Sequence, residues 1–367
     1  MRVLFVSGAW GGSLQSTTEL ARRLAARDHT VLLLQRARGG RYRSYVHKRA
    51  INLRVKVDGR VGGRVIDMFA RRIGRRTTQM SHWAVPRRDA LLVENAHPRV
   101  IAEFRPDVVV VSSIDRMAWR KIRDELEKAR IPSVLYLREL TAQGHFTVSN
   151  APAGLHVANA EVFAAATRAK GYECLTIPSV VDFERCRIAT TRERVLFVNP
   201  IEAKGLAIAL GVARARPGIR FAFAESWLLS KVERAALDAE LRSLPNVEFR
   251  PRVDDPAQLY RDASVLLAPY VMIERPRVVL EAQSNGIPVL ASDVAPMRET
   301  VGPGGVMVDL DASVDVWCEA LDAMLEPATY ERLVAEARAY AARPEVDPEH
   351  LASMFEQAIA GLLSPAA

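Results

Sequence analysis

A chain of 367 residues is long enough for about two domains, each able to bury a core of its own. Hydrophobic residues at 49% and charged residues at 26% exclude a disordered or fibrous chain; three scattered cysteines without a CxxC pair argue against a disulfide framework or cysteine-rich metal site. Net charge is +8, but Arg36 to Arg88 alone carries sixteen Lys and Arg against Asp58 and Asp67, so the remainder of the chain is acidic by 6.

In chain order, residues 3–7 read as a short apolar strand and Gly8, Gly11 and Gly12 as a flexible loop. Residues 19–27 read as an amphipathic helix with Leu20 and Leu24 inward, and 30–34 as a second strand, completing one βαβ unit. A strand that turns at Gly8 is not the longer apolar core of a signal peptide. No segment offers the roughly 20 apolar residues that span a bilayer, so a cytoplasmic location is expected.

The basic stretch from Arg36 to Arg88 leaves three readings open: a solvated face, a membrane-surface or lipid-phosphate patch, and a nucleic-acid site. It contains Tyr42, Tyr45, Phe69 and Trp83, and residues 65–73 have apolar side chains at helical spacing. That favours a helix lying on a surface; the expectation is peripheral association with an anionic membrane and no nucleic-acid partner.

Residues 106–112 read as a fully buried strand, 120–128 as a polar-faced helix and 132–137 as another strand. Two short strands, 156–159 and 174–178, flank a helix at 161–169. Charges then accumulate over 181–194, where an interdomain linker is expected. A second α/β pattern follows, with strands at 195–198, 220–224, 247–250, 265–268, 287–290 and 306–308. Its helices are expected at 205–214, 256–261, 314–325, 330–342 and 349–363.

The segment from Glu274 to Asp293 combines a charged entry, an apolar helix face and a buried strand. Pro276 suits a first helical turn, and Gly286 can take the left-handed conformation that closes the helix. Glu281, in the helix after a strand, lies near the carboxyl edge of the sheet, where open α/β folds bind ligands.

These features together resemble a GT-B glycosyltransferase of the retaining group that includes sucrose and mannosyl transferases, family 4 in the usual classification. The resemblance is carried by Gly11-Gly12 with the following helix, by Pro178-Ser-Val-Val-Asp182, by Asn199-Pro-Ile-Glu-Ala-Lys204-Gly205, and by the Glu274 to Asp293 segment with Gly302, Gly304 and Gly305 downstream. It implies an α/β fold of two Rossmann-like doubly wound domains facing a central cleft. The acceptor domain would be 1–185 and the donor domain 186–345, with a C-terminal helix at 346–367 packing back on the first.

The resemblance also assigns roles. Lys204 would hold the donor diphosphate and Glu281 the ribose hydroxyls. Arg250, Val278 and Asn199 would lie in the donor site. Asn199 stands where the family commonly has Arg, a charge that Arg275 or Arg277 could replace. The first carboxylate of the family's paired motif falls on Ile273, eight residues before Glu281, whereas Glu274 is seven before it; Glu274 fills that role through a one-residue shortening, or the role is vacant. Gly11, Gly12, Arg138 and Glu139 would meet the acceptor, and His145 would stand by the reacting centre.

The implied reaction transfers a hexose from a UDP- or GDP-sugar to an acceptor hydroxyl, with no metal and no further cofactor. Surface polysaccharide, glycolipid or glycoconjugate synthesis would be its setting, and a saccharide or lipid-linked molecule its acceptor. The alternatives are an epimerase or phosphorylase of the same fold, or a non-catalytic donor-binding protein.

Overall fold

The computed structural model describes residues 1–8, 11–36, 56–58, 83–85, 100–114, 116–138, 153–253 and 255–364. Most of the basic stretch, including the expected helix at 65–73, lies outside them. The chain divides into two compact units, Met1–Val180 with Pro348–Ala367, and Val181–Asp347.

The first unit is built on strands β1 (Arg2–Ser7), β2 (Thr30–Arg36), β3 (Lys56–Asp58), β4 (Trp83–Val85), β5 (Val108–Ser112), β6 (Ser133–Leu137), β7 (Leu155–Ala158) and β8 (Cys174–Thr176). They form one sheet in the order β3-β2-β1-β5-β6-β7-β8, with β4 also paired to β2. Only β3 runs antiparallel. Consecutive side chains of a strand point to opposite faces, so Leu4 and Val6 join one apolar cluster with Trp119 and Phe163, while Val3 and Phe5 join another with Tyr136 and Phe355. A parallel sheet covered on both faces needs such uninterrupted apolar strands, and Val108-Val-Val-Val-Ser112 is buried along its whole length.

Gly11 and Gly12 depart from expectation. They are not a loop but the opening of the helix Gly11–Ala26, which starts eight residues earlier than the amphipathic pattern at 19–27 indicates. Its first turns face polar groups at the sheet's carboxyl edge, so they carry Ser16 and Thr17 where periodicity looks for apolar residues. Gly8 turns the chain immediately after β1, where a Cβ would lie 2.3 Å from the Ser113 carbonyl oxygen.

The last helix, Pro348–Leu363, belongs to this first unit although it ends the chain. Phe355 stacks on Phe5 and Tyr136, with ring centroids 6.2 and 6.3 Å away. At its edge Glu356 accepts from Arg27 Nη1 at 3.0 Å and pairs with His29 Nε2 at 2.8 Å. Burial alone would raise the Glu356 pKa, but these partners outweigh it and hold the carboxyl below its ordinary 4.5. A depressed carboxylate contributes stability that is present above the ordinary value and lost as pH falls through the folded one. The wild type is therefore expected to lose about 1 kcal/mol of this helix's docking as pH drops below 4.5. Urea titrations from pH 7 downward check this: Glu356→Gln should differ from wild type at pH 7, and the difference should shrink as pH falls below 4.5.

The second unit carries β9 (Arg194–Val198), β10 (Phe221–Ala224), β11 (Val247–Arg250), β12 (Ala263–Ala268), β13 (Val289–Ser292) and β14 (Gly305–Val308). The order β11-β10-β9-β12-β13-β14, all parallel, is that of a dinucleotide-binding Rossmann sheet. Val195 and Phe197 face one core with Trp317 and Leu321; Leu196 and Val198 face the other with Tyr260 and Met297.

Two helices of this unit were not expected. Lys231–Leu241 follows β10 and begins with a capping box, Ser230 Oγ accepting from the Glu233 amide and the Glu233 carboxylate accepting from the Ser230 amide. Ala295–Val301 follows β13. The helix expected at 256–261 is instead a short 3-10 turn, Pro256–Leu259, and the expected linker at 181–194 contains a helical turn, Phe183–Cys186. Among the described residues no helix is long and apolar enough to cross a membrane.

Candidate functional site

In a sheet of this order the strand sequence reverses direction between β9 and β12, and open α/β sheets bind ligands outside the carboxyl ends of the strands at such a switch point. After β9 the chain runs through Asn199 to a 3-10 turn, Glu202–Lys204, closed by Gly205. Gly205 has φ of +79° and sits against Pro269, where a Cβ would come within 1.9 Å of the carbonyl oxygen. Only glycine permits both that conformation and that approach. The amide of Met272 donates to the Ala203 carbonyl at 3.2 Å, so the segment after β12 is tied to the Lys204 turn by its backbone.

Lys204 points inward. It is 1% exposed, and its ammonium donates to the Glu274 carboxylate. It also lies 4.2 Å from the centre of the Tyr270 ring and 4.7 Å from that of Trp227. A buried ammonium is tolerated only when paired, and the carboxylate with two aromatic faces supplies the compensation. Burial first, then the charges of Glu274 and Glu281, push the Tyr270 phenol well above its usual range, so it stays protonated.

Asn199 explains how Trp227 reaches Lys204. With φ of +61°, a conformation asparagine adopts more readily than most residues, it turns its Oδ1 to the amides of Ser226 and Trp227 at 2.9 and 2.7 Å. The loop after β10 is thereby fastened to the end of β9. Asn199 is thus in the site, with its oxygen engaged by backbone.

The helix Arg277–Ser284 follows β12, with Pro276 as its uncapped N-terminal flank. Glu274 lies in the loop before it. Glu281 is buried in its second turn; Oε2 accepts from the Tyr260 hydroxyl at 2.7 Å and Oε1 from Arg277 at 2.9 to 3.0 Å. The Tyr260 phenol is raised well above its usual range by burial and then by the Glu281 charge. The nearby Cys186 thiol is pushed up to about 12 by the same two causes. Arg277 keeps one buried nitrogen, Nη1, without a hydrogen-bond partner among the described residues. Val278, half-buried, packs on the inner core with Tyr260.

Two other arginines are turned to different work. Arg275 is buried and reaches Thr300 Oγ1 at 3.1 Å and the Glu299 carbonyl at 3.4 Å, holding the helix Ala295–Val301 by its last turn. Arg250, at the end of β11, clamps Asp262 with two bonds of 2.5 and 2.7 Å and also bonds Glu248. The hydrogen bonds to Asp262 raise the guanidinium pKa above its already high value.

In the first unit Arg138, directly after β6, is buried against the Tyr136 ring at 3.8 Å. Its guanidinium donates to Ser16 Oγ at 2.9 Å, Ser179 Oγ at 3.1 Å and Thr17 Oγ1 at 3.2 Å. Ser16 Oγ also accepts from the Val180 amide. Gly12 stands at the start of the same helix, whose bounds begin at Gly11. Glu139 and His145 lie outside the described residues.

Lys204, Glu274 and Asn199 thus converge with Tyr270 and Trp227, and Glu281 with Arg277 and Tyr260; Arg250 and Arg275 are spent on neighbouring elements. The aromatic groups were missed by the sequence reading. Their signal was an aromatic residue in each of the loops leaving β10 and β12. Among the described residues no cluster of three or more His, Cys, Asp or Glu side chains could hold a metal ion.

Comparison with solved structures places this architecture. The chain superposes on HepE of Anabaena in complex with UDP-glucose with a TM-score of 0.72 at 15% identity, covering 98% of this chain and 100% of that one. It superposes on sucrose-phosphate synthase of Thermosynechococcus elongatus with a TM-score of 0.74 at 15% identity, covering 100% of both. The fold is GT-B.

The same GT-B fold relates the chain to the UDP-GlcNAc 2-epimerase of Neisseria meningitidis bound to UDP-GlcNAc, with a TM-score of 0.62, 14% identity and coverage of 98% and 100%. Residues 192–327, most of the second unit, match the family model described as glycosyl transferases group 1. No curated protein matches the sequence. In this GT-B chain the matched region contains Lys204, Glu274 and Glu281 together.

Proposed function

We propose that the protein is a retaining glycosyltransferase of the family 4 type, moving a hexose from a UDP- or GDP-sugar to an acceptor hydroxyl. The observation that carries this reading is the buried Lys204 beside Glu274 at the switch point of a sheet whose sequence matches glycosyl transferases group 1. Solved GT-B structures that hold UDP or UDP-glucose support it.

In this reading Lys204 neutralises the departing diphosphate, aided by the N-terminus of the helix Arg277–Ser284 and by Arg277 Nη1, a buried donor with capacity to spare. Glu281 accepts from the ribose hydroxyls with the lone pairs that Tyr260 and Arg277 leave. No protein nucleophile is needed: the leaving phosphate takes the proton of the incoming hydroxyl on the same face of the sugar. Catalysis is then positioning and charge stabilisation. Arg138 with Ser16, Thr17 and Ser179 forms the polar floor on the acceptor side. Glu139, His145, Gly11 and Gly12 are assigned to the same side, with His145 beside the reacting centre. The reaction uses no cofactor besides the donor.

A cytoplasmic enzyme serving surface polysaccharide or glycolipid synthesis, resting on the inner membrane face through Arg36 to Arg88, fits the concentration of positive charge in that stretch. A thermal-shift screen over UDP- and GDP-sugars tests the donor assignment. A ligand at about 100 times its dissociation constant stabilises by roughly 2.7 kcal/mol. Absence of any shift across the panel would remove the reading. The likeness to an epimerase favours a second reading, in which the donor is converted with no acceptor. Chromatography of the nucleotide sugar after incubation with enzyme alone separates the two: an epimer of the donor means the second.

A further inference from the structure

We propose that Glu274 is a resident anion that occupies Lys204 in the unliganded protein and makes the site discriminate an intact nucleotide sugar from the free nucleoside diphosphate. This rests on reading the site as a nucleotide-sugar site.

The two members of the pair are unequally placed. The Lys204 side chain is 2% exposed and that of Glu274 16%, so a ligand arriving from solvent meets the carboxylate first. Tyr270 and Trp227 lie against the ammonium with their rings, and aromatic faces offer nothing to an anionic oxygen. Glu274 holds a side of the ammonium on which a phosphate can replace it. Two anions cannot share one buried ammonium without a like-charge cost, so a bound diphosphate drives the carboxylate off.

The exchange is a side-chain movement. The backbone around Glu274 is held: Met272 bonds the Ala203 carbonyl, the Glu274 amide donates to the Met272 carbonyl at 3.1 Å, and Pro269 packs on Gly205. A displaced Glu274 thus stays within side-chain reach of Lys204. There it needs new hydrogen-bond donors. A sugar on the diphosphate brings hydroxyl groups that supply them; a free nucleoside diphosphate has no such group at that end and leaves the carboxylate with water alone. The intact donor consequently recovers what displacement costs, and the leaving product does not. Glu274 favours release of nucleoside diphosphate by retaking Lys204.

The test is calorimetric titration of UDP, GDP, inorganic pyrophosphate and the nucleotide sugars that shift the wild type's melting temperature. Wild type is expected to bind the nucleotide sugar about tenfold more tightly than the matching free diphosphate. Glu274→Gln is expected to bind the free diphosphate and pyrophosphate about tenfold more tightly than wild type, closing that gap. Equal wild-type affinities for sugar-bearing and free nucleotides would overturn the proposal, and so would unchanged or weaker pyrophosphate binding by Glu274→Gln. The wild-type comparison stands even if the variant fails to fold. Wild type that binds neither free nor sugar-bearing nucleotides overturns the nucleotide-site reading and this proposal together; nucleotide binding without the Glu274 effect overturns this proposal alone.

Discussion

Replacing Lys204 by methionine is expected to lower kcat for sugar transfer by about 100- to 1,000-fold, the loss that follows removal of one preorganised donor to developing negative charge. In the proposed reaction the ammonium stays against the Tyr270 and Trp227 rings after the diphosphate has replaced Glu274, so little reorganisation is needed when charge develops on the leaving phosphate. Methionine fills nearly the same volume and keeps the aromatic contacts, but it leaves the largely buried Glu274 without its cation. Some stability is lost for that reason alone. The double variant Lys204→Met with Glu274→Gln removes both charges and is expected to recover the melting temperature while transfer stays at the low level. Steady-state kinetics beside thermal melting of the two variants separate the effects. Recovery of activity in the double variant would show that Lys204 serves the fold and not the chemistry.

Substituting Glu281 by alanine is expected to destabilise the protein by about 3–5 kcal/mol, the cost of leaving a buried charge uncompensated. The carboxylate is the acceptor for the fully buried Tyr260 hydroxyl and the counter-ion of Arg277. Arg277 already has one nitrogen without a partner among the described residues, so the loss of Glu281 compounds its deficit. Tyr260→Phe removes one hydrogen bond and leaves the ion pair, and should cost only about 1 kcal/mol. Guanidinium denaturation gives both values, and equal costs for the two variants would refute the charge argument. In a thermal-shift assay Tyr260→Phe should keep its response to nucleotide sugar, because Glu281, the proposed ribose ligand, remains. Arg277→Lys, which retains charge but loses the planar fork, distinguishes the pair's geometry from its charge.

How much of this was legible in the sequence depended on the range of the forces involved. The inner strands were read closely because an apolar run buried on both faces repeats the same requirement at each position, as in Val108 to Ser112 and Val195 to Val198, whereas the short strands Lys56–Asp58 and Trp83–Val85 in the basic stretch were missed. The helix Lys231–Leu241 was missed although Ser230 and Glu233 carry a capping box, a local signal three residues apart that needs no tertiary information. The start of Gly11–Ala26 was missed for a different reason. Its first turns serve a polar edge, so Ser16 and Thr17 break the apolar period that marks the rest of the helix.

Among the site residues, Lys204, Glu274 and Glu281 were singled out by the resemblance of their segments to the family's motifs. Their partners could not be. Nothing local relates Tyr260 to Glu281, Trp227 to Lys204, or Ser179 to Arg138: the last two pairs meet where different strands deliver their carboxyl ends to one edge of a sheet, and Tyr260, just before β12, meets Glu281 on the helix that follows that strand.

Hydrophobic period and backbone freedom within short windows account for the two α/β units, the strand cores and the glycine-marked turn that carries Lys204. Tertiary structure alone decided what each charge is bound to. It turned Arg250 and Arg275 toward Asp262 and Thr300, placed Asn199 under the Trp227 loop, and set Glu274 on Lys204. A buried charge is governed by the nearest opposite charge and hydrogen-bond donors in space, and in a parallel sheet those neighbours come from segments tens of residues apart in the chain.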